Sequence, residues 1–297
     1  MSPLETPENS LFIMDLTGTG QLKETGLWVR SWQTTYMIFD NQAKIWGGSI
    51  VGLGPSFLGY LRLKYCLDAL RCTQGNILDV GCGGGGFAAS VKTYRPDLNI
   101  YAIDVNKRAV FSASKKFPEV HFKTASVYTL PYLKQYFDAV IGEDVLEHLD
   151  DPQKALKEIH RVLKPRGVFH VFVPLEGEWY TLHNLLYKFG WKAKERLAGH
   201  VQQFKIQNLK LKIEKFGFKV LSVKYSVHLF GQIIDVGYFS FLSLFKQYLN
   251  IGLEEKLESW PSVLRLAKNL LTVAVNYESI LFQKIPGAGV HITVVKK

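Results

Sequence analysis

The sequence predicts a doubly wound α/β fold on a mostly parallel, seven-stranded sheet, with an N-terminal helical region and a C-terminal helical insertion. Two observations lead there. From Asn76 onward, short β-type runs alternate with helix-period patterns, the order that βαβ units produce. The stretch 76–91, NILDVGCGGGGFAASV, reads as a buried strand carrying Asp79, then a glycine-packed turn, then a helix. Its glycines allow a sharp turn and close approach of a ligand, toward which the helix N-terminus directs unpaired N–H groups.

Taken in order, the first twenty or so residues read as a loose arm. Residues 25–72 are aromatic-rich (Trp28, Trp32, Tyr36, Phe39, Trp46), break at Gly52–Pro55 and end in a helix over about 57–70. Strands are expected at 76–80, 98–104, 119–123, 137–142, 167–173, 218–224 and 289–295. A helix over 151–163 has Asp151 as N-cap, Pro152 in its first turn and Lys164–Pro165 as its stop; Ala155, Leu156, Ile159, Val162 and Leu163 form its apolar stripe. After Tyr225 an apolar segment, 229–249, and a helical stretch, 261–283, separate the sixth and seventh strands. The expected organisation is therefore an arm and cap (1–72), a nucleotide-binding domain (73–225 plus 286–297) and an inserted helical cap (226–285).

An apolar share of 47% in 297 residues is ample for a packed core and excludes wholesale disorder. Cys66, Cys72 and Cys82 form no disulfide framework or paired metal knuckle, and each is expected to be a small buried hydrophobe. No basic n-region opens the chain and no long uncharged apolar run occurs, so a cytoplasmic protein, peripheral at most, is expected. The net charge is +10, and residues 176–297 hold 17 basic against 9 acidic side chains. Lys188 to Lys224 alone carries ten basic residues, which suggests an anionic neighbour such as an acidic lipid surface, or else a solvated helix face.

Gly81-x-Gly83-x-x-Gly86 also satisfies the dinucleotide fingerprint. An acid ahead of the glycines would repel a pyrophosphate and attract a cationic or zwitterionic ligand. Asp104 closes the next strand, placed to accept from two ribose hydroxyls, and the fourth strand runs into FDAVIGEDVLEHLDDPQKALKEIHRVLKPRG.

With LDVGCGGGG, Asp104, Leu130–Pro131, FDAV (137–140), VLEHLDDP (145–152), RVLKPRGVFHVFVP (161–174), GHVQQF (199–204) and LKIEKFGFKV (211–220), the chain resembles the class I S-adenosylmethionine-dependent methyltransferases. The resemblance covers roughly 75–225 and the last strand. It implies a Rossmann-like sheet with an antiparallel last strand, and S-adenosyl-L-methionine as cofactor. Gly81, Cys82, Gly83 and Gly85 would meet the methionine part, with Asp79 near its ammonium. Asp104 would hold the ribose, Val105 would lie against the adenine, and Ser126 and Val127 would stand at the adenine edge where relatives often carry an acid. Glu143 would sit beside the methyl group and the acceptor. Arg166 stands where many relatives have glycine, expected to be a harmless change.

An oxygen acceptor needs a base, or a metal that lowers its pKa. Glu143, His148 and His200 are the candidates for catalysis. Asp144, Glu147, His148 and His200 resemble the divalent-metal site of small-RNA terminal methyltransferases, with the bland alternative that they merely line the cleft. His121, His160, His170, His183, His228 and His291 are expected to be satisfied structural residues. Trp179, Tyr180, His183, Tyr187, Phe189 and Trp191 could frame the acceptor, expected to be a small molecule, quinone, lipid or glycan. Nucleic acid is disfavoured because no RNA-binding module is present, with RNA-terminal methylation a minor alternative. The state would be monomer or homodimer. An NAD-dependent oxidoreductase and a non-catalytic binding protein of the same fold are the readings from other classes.

Overall fold

The computed structural model describes residues 47–245 and 262–297. The expectations for the N-terminal arm and for the aromatics Trp28 to Trp46 lie outside those residues. A seven-stranded sheet has the order β3-β2-β1-β4-β5-β7-β6. In it β1 (Asn76–Val80), β2 (Asn99–Asp104), β3 (His121–Thr124), β4 (Phe137–Glu143) and β5 (Leu163–Pro174) are parallel. Between β5 and β6 (Phe218–Ser226) lies β7 (Gly289–Lys296), antiparallel to both. Each expected strand is present to within a few residues.

The helices cover both faces. On one face α1 (Tyr60–Ala69) and α2 (Gly86–Tyr94) cover Ile77, Ile100, Ala139 and Ile141; α3 (Lys107–Lys116) belongs to the same half. On the other, α4 (Pro152–Val162) and α7 (Ile206–Lys215) bury Leu156, Ile159, Leu209 and Ile213 against Val140, Phe169 and Val171. Strands covered on both faces read as continuous apolar runs, as β1 and β4 do. The Asp151 side chain accepts from Gln153 N and Lys154 N, and Asn106 does the same for α3 at Arg108 and Ala109, so both helix starts are locally encoded. Between β5 and α7 lie the short α5 (Leu182–Lys188) and α6 (Ala193–Leu197). The insertion contributes α8 (Leu229–Phe245) and α9 (Ser262–Leu281).

Three expectations need correction. Cys72 is exposed, whereas Cys66 and Cys82 are buried, because Cys72 lies in the turn after α1 rather than on its inner face. The fifth strand, expected from 167, starts earlier: α4 ends at Val162 and β5 begins at once, with Leu163 paired to Phe137 and a register shift before Val168. Arg166 takes φ 62°, a left-handed conformation that explains why glycine suits this place, and for arginine it costs about 1 kcal/mol.

Candidate functional site

The carboxyl ends of the parallel strands form the ligand-facing edge, and the order of the sheet reverses between β1 and β4. In open α/β sheets the crevice outside that reversal is where ligands bind. Asp79, Asp104 and Glu143 all stand there.

The glycine turn is held to β2 by its backbone: Gly81 N and Cys82 N donate to Ile103 O at 2.8 and 2.9 Å. Gly83 N donates to Asp104 Oδ2 at 2.9 Å, and Asn106 N to Oδ1 at 2.8 Å. Each Asp104 oxygen keeps a further lone pair for a ligand. Gly85, in left-handed conformation (φ 77°), caps α2; a Cβ there would lie 2.8 Å from Ala113 Cβ. A segment the sequence did not point to crosses the start of α2: Gly47 O accepts from Gly86 N at 2.8 Å, and Ser49 O leaves no room for a Cβ on Gly86.

Asp79 is buried, and its Oδ2 has no partner. Burial, then the Asp104 charge, raises its pKa well above the usual carboxylate value. A cation arriving beside it would relieve both effects. Val105, the next residue after Asp104, is 66% exposed despite being apolar. Ser126 accepts from Tyr128 N at 3.2 Å and Val127 is buried below it, both just past β3. The Cys82 thiol is kept neutral by burial, then by Asp79 and Asp104.

At the end of β4, both Glu143 oxygens are unpartnered and burial raises its pKa, against the pull of Arg62. The Arg62 guanidinium reaches in from α1, 4.3 Å above the Phe172 ring, and its Nη2 binds Asp144 at 3.0 and 2.9 Å. Asp144 has φ 53°, a conformation aspartate tolerates better than most residues. Its carboxylate is thereby committed to Arg62, so Asp144 does not join the group it was expected to complete. That group is Glu147, His148 and His200, whose ligand-capable atoms lie within 4.8 Å of one another. Glu147 is fully buried with both oxygens unpartnered, and burial, then Asp144, raises its pKa. The His148 and His200 rings meet edge to face at 4.9 Å. The pKa of His148 is lowered by desolvation and by the His200 ring.

A residue absent from the sequence reading organises this side of the cleft. Glu176, two positions past β5, is buried and accepts from His200 Nδ1 at 2.9 Å. Lys194 Nζ lies 3.0 Å from the same oxygen and 2.6 Å from Asp235 Oδ2 on α8. Burial alone would raise the Glu176 pKa, but the His200 hydrogen bond and the Lys194 charge hold it down to about 2. The detectable signal was an acid directly after the apolar run VFVPL, at a strand end facing the crevice. Among the discounted histidines, His183 is buried with neither ring nitrogen partnered, 3.7 Å from Glu176. It packs against Tyr187 and Trp191. Trp179 and Phe189 stand exposed at the surface, while Trp191 Nε1 donates to Ser240 Oγ at 2.9 Å.

Behind Glu143, His170 and His291 line a cavity of about 210 Å³ with Tyr65, Asp68, Lys224 and Thr293. His170 Nδ1 meets Thr293 Oγ1 at 2.9 Å, and its pKa is pushed down to about 3 by burial, then by Lys224. Such a ring takes up a proton near pH 6.5 once unfolded but only near pH 3 when folded. Its stabilising contribution is complete above pH 6.5 and falls by up to about 1.4 kcal/mol per pH unit below that. Urea unfolding should show this decline between pH 6.5 and 4, flattened in His170→Asn. The same pH slope in both proteins would contradict it.

With this geometry in hand, residues 78–171, about a third of the chain, match the family described as methyltransferase domain. The chain carries a class I S-adenosylmethionine-dependent methyltransferase domain. A demethylmenaquinone methyltransferase of Chlorobaculum parvum is 31% identical over 120 residues, covering 39% of this chain and 49% of that one. An O-methyltransferase of Aspergillus nomiae is 29% identical over 167 residues, covering 52% and 69%. The methyltransferase domain is thus shared, while the chain spans about half the length of several of the curated relatives it matches. In fold it is similar to phosphoethanolamine N-methyltransferase 2 of Haemonchus contortus, solved with S-adenosyl-L-methionine (TM-score 0.53, 16% identity, 82% of this chain and 55% of that one). It is equally similar to the cyclase SpnF (TM-score 0.53, 19% identity, 80% of each chain). A methyltransferase fold by itself therefore leaves the reaction to be argued from the residues of the site.

Proposed function

We propose that the protein transfers a methyl group to an oxygen of a small-molecule, quinone, lipid or glycan acceptor. S-adenosylmethionine, when bound, supplies a methyl group already activated on a sulfonium. The residues present fit it. The unpartnered carboxyl of Asp79 suits an ammonium, Asp104 retains lone pairs for two ribose hydroxyls, and Val105 offers apolar surface for adenine beside Ser126 and Val127. Gly81, Cys82, Gly83 and Gly85 provide a turn with little side-chain bulk for the methionine part. Glu143 borders the place where methyl group and acceptor meet.

The observation that carries the oxygen acceptor is the Glu176–His200 pair. A carboxylate held ionised accepts from Nδ1–H, which leaves a lone pair on His200 Nε2 to take the acceptor's hydroxyl proton. In the same way, Gly199 O, 3.2 Å from His148 Nδ1, fixes the proton there and leaves His148 Nε2 as a second acceptor. The relative named for O-methylation agrees with an oxygen acceptor, and the one named for demethylmenaquinone agrees only with the quinone class of acceptor.

A second reading rests on Glu147. Its unpartnered carboxylate, with His148 and His200 close by, has the donor chemistry to hold a divalent cation, which would lower the pKa of a bound hydroxyl. Titration calorimetry with S-adenosylhomocysteine, NAD and manganese separates the readings. Binding of S-adenosylhomocysteine alone is expected. Binding of NAD without it would overturn the methyltransferase reading in favour of an oxidoreductase. A manganese site lost in Glu147→Gln would favour the second reading, and S-adenosylhomocysteine binding without a methylated product from lipid extracts would favour a non-catalytic protein.

A further inference from the structure

Helices α8 and α9 have their polarity inside out. On α8 the side chains that hold it to the body are polar: Gln232 Oε1 accepts from Leu182 N at 2.7 Å, Asp235 pairs with Lys194, and Ser240 accepts from Trp191. The opposite side, at helical spacing, exposes Phe230, Ile233, Ile234 and Leu244, the last at 76%. On α9, Asn276 and Ser279 are buried at 4% and 1%. Asn276 Nδ2 donates to Pro55 O at 2.7 Å, and Ser279 Oγ accepts from Val227 N at 3.2 Å. Its outward residues are Leu266, Leu270, Tyr277 and Leu281, the last at 76%. The helices are neighbours, since Phe230 N donates to Glu278 on α9. A surface helix in water turns its apolar side inward; two adjacent helices doing the reverse need an apolar neighbour outside.

Charge identifies that neighbour. Lys188 and Arg265, on α5 and α9, and Lys192 and Lys284, in the turns that follow those helices, are exposed, and residues 176–297 as a whole hold 17 basic against 9 acidic side chains. A second copy would bring these cations face to face, whereas an anionic surface neutralises them. Among the described residues no helix is long and apolar enough to cross a membrane, so the mode of contact is lying on the surface rather than spanning it.

We propose that the outward sides of α8 and α9 form an interfacial docking surface for an anionic lipid bilayer. The Asp235–Lys194–Glu176–His200 chain then connects a lipid-facing helix to the cleft. Delivery of a lipophilic acceptor from the bilayer rests on the methyl-transfer reading; docking itself does not.

Sedimentation with sucrose-loaded vesicles tests it, using equal parts phosphatidylcholine and phosphatidylglycerol, and phosphatidylcholine alone. The full chain should pellet with the anionic vesicles at low salt and much less with the neutral ones. Leu244→Gln combined with Leu270→Gln, both at exposed positions, should lower partitioning about tenfold or more. S-adenosylhomocysteine affinity serves as the control for folding, and its absence in the wild type would count against methyl transfer rather than docking. Protein that stays in the supernatant, or a double variant that pellets equally, overturns the proposal. A concentration-dependent dimer in sedimentation velocity, abolished by the double variant, overturns it in favour of a second copy.

Discussion

Replacing Asp104 with alanine should weaken S-adenosylhomocysteine binding by at least about a hundredfold. Two hydroxyl hydrogen bonds to an ionised carboxylate are worth about 1.5–3 kcal/mol each, and their joint loss of about 3 kcal/mol or more corresponds to that factor. The same change frees Gly83 N and Asn106 N, which Asp104 now holds at 2.9 and 2.8 Å. Part of the loss would therefore come from a loosened glycine turn. Asp104→Asn distinguishes the two contributions: its amide oxygen can still hold one of the backbone N–H groups, while the charge is gone. Calorimetry on all three proteins, with thermal melts to confirm folding, is the measurement. Alanine-variant affinity within a few-fold of wild type would remove Asp104 from the ribose site.

Glu176→Gln should lower kcat by about a hundredfold or more while leaving KM for both substrates within a few-fold. A glutamine cannot hold His200 in one tautomer with a charge-assisted bond, so Nε2 is no longer reliably the free base. Glu176→Asp, which keeps the charge, should recover part of the rate. This split distinguishes orientation of His200 from a structural role, because an unfolded or displaced site would raise KM or abolish cofactor binding. Lys194 remains close to Asp235 at 2.6 Å in either variant, so α8 keeps one anchor. A Glu176→Gln enzyme with unaltered kcat would end the dyad reading.

The sheet was legible because its signals are local. Asn106 and Asp151 sit at helix starts where their side chains accept from the first free N–H groups. Apolar runs such as those of β1 and β4 need cover on both faces, and a glycine turn between strand and helix admits few alternatives. The positions of Asp79, Gly81, Gly83 and Asp104, to which a cofactor role is proposed, were legible for the same reason: they fall at strand ends or in one turn, and their places follow from element boundaries.

The acceptor half was not. Arg62 comes from a helix ahead of β1, yet it is Arg62 that takes the carboxylate of Asp144, 82 positions later. Glu176, Lys194 and Asp235 lie on three elements, and their mutual distances of 2.6–3.0 Å arise only when β5, α6 and α8 pack together. By itself the sequence determined the order of strands and helices, the glycine turn and the acids beside it, since each depends on residues a few positions apart. Only the tertiary structure decided which oxygen meets His200 Nδ1, which carboxylates remain without partners, and which side of α8 faces outward. Those are properties of packing between distant segments, where desolvation and charge act through space rather than along the chain.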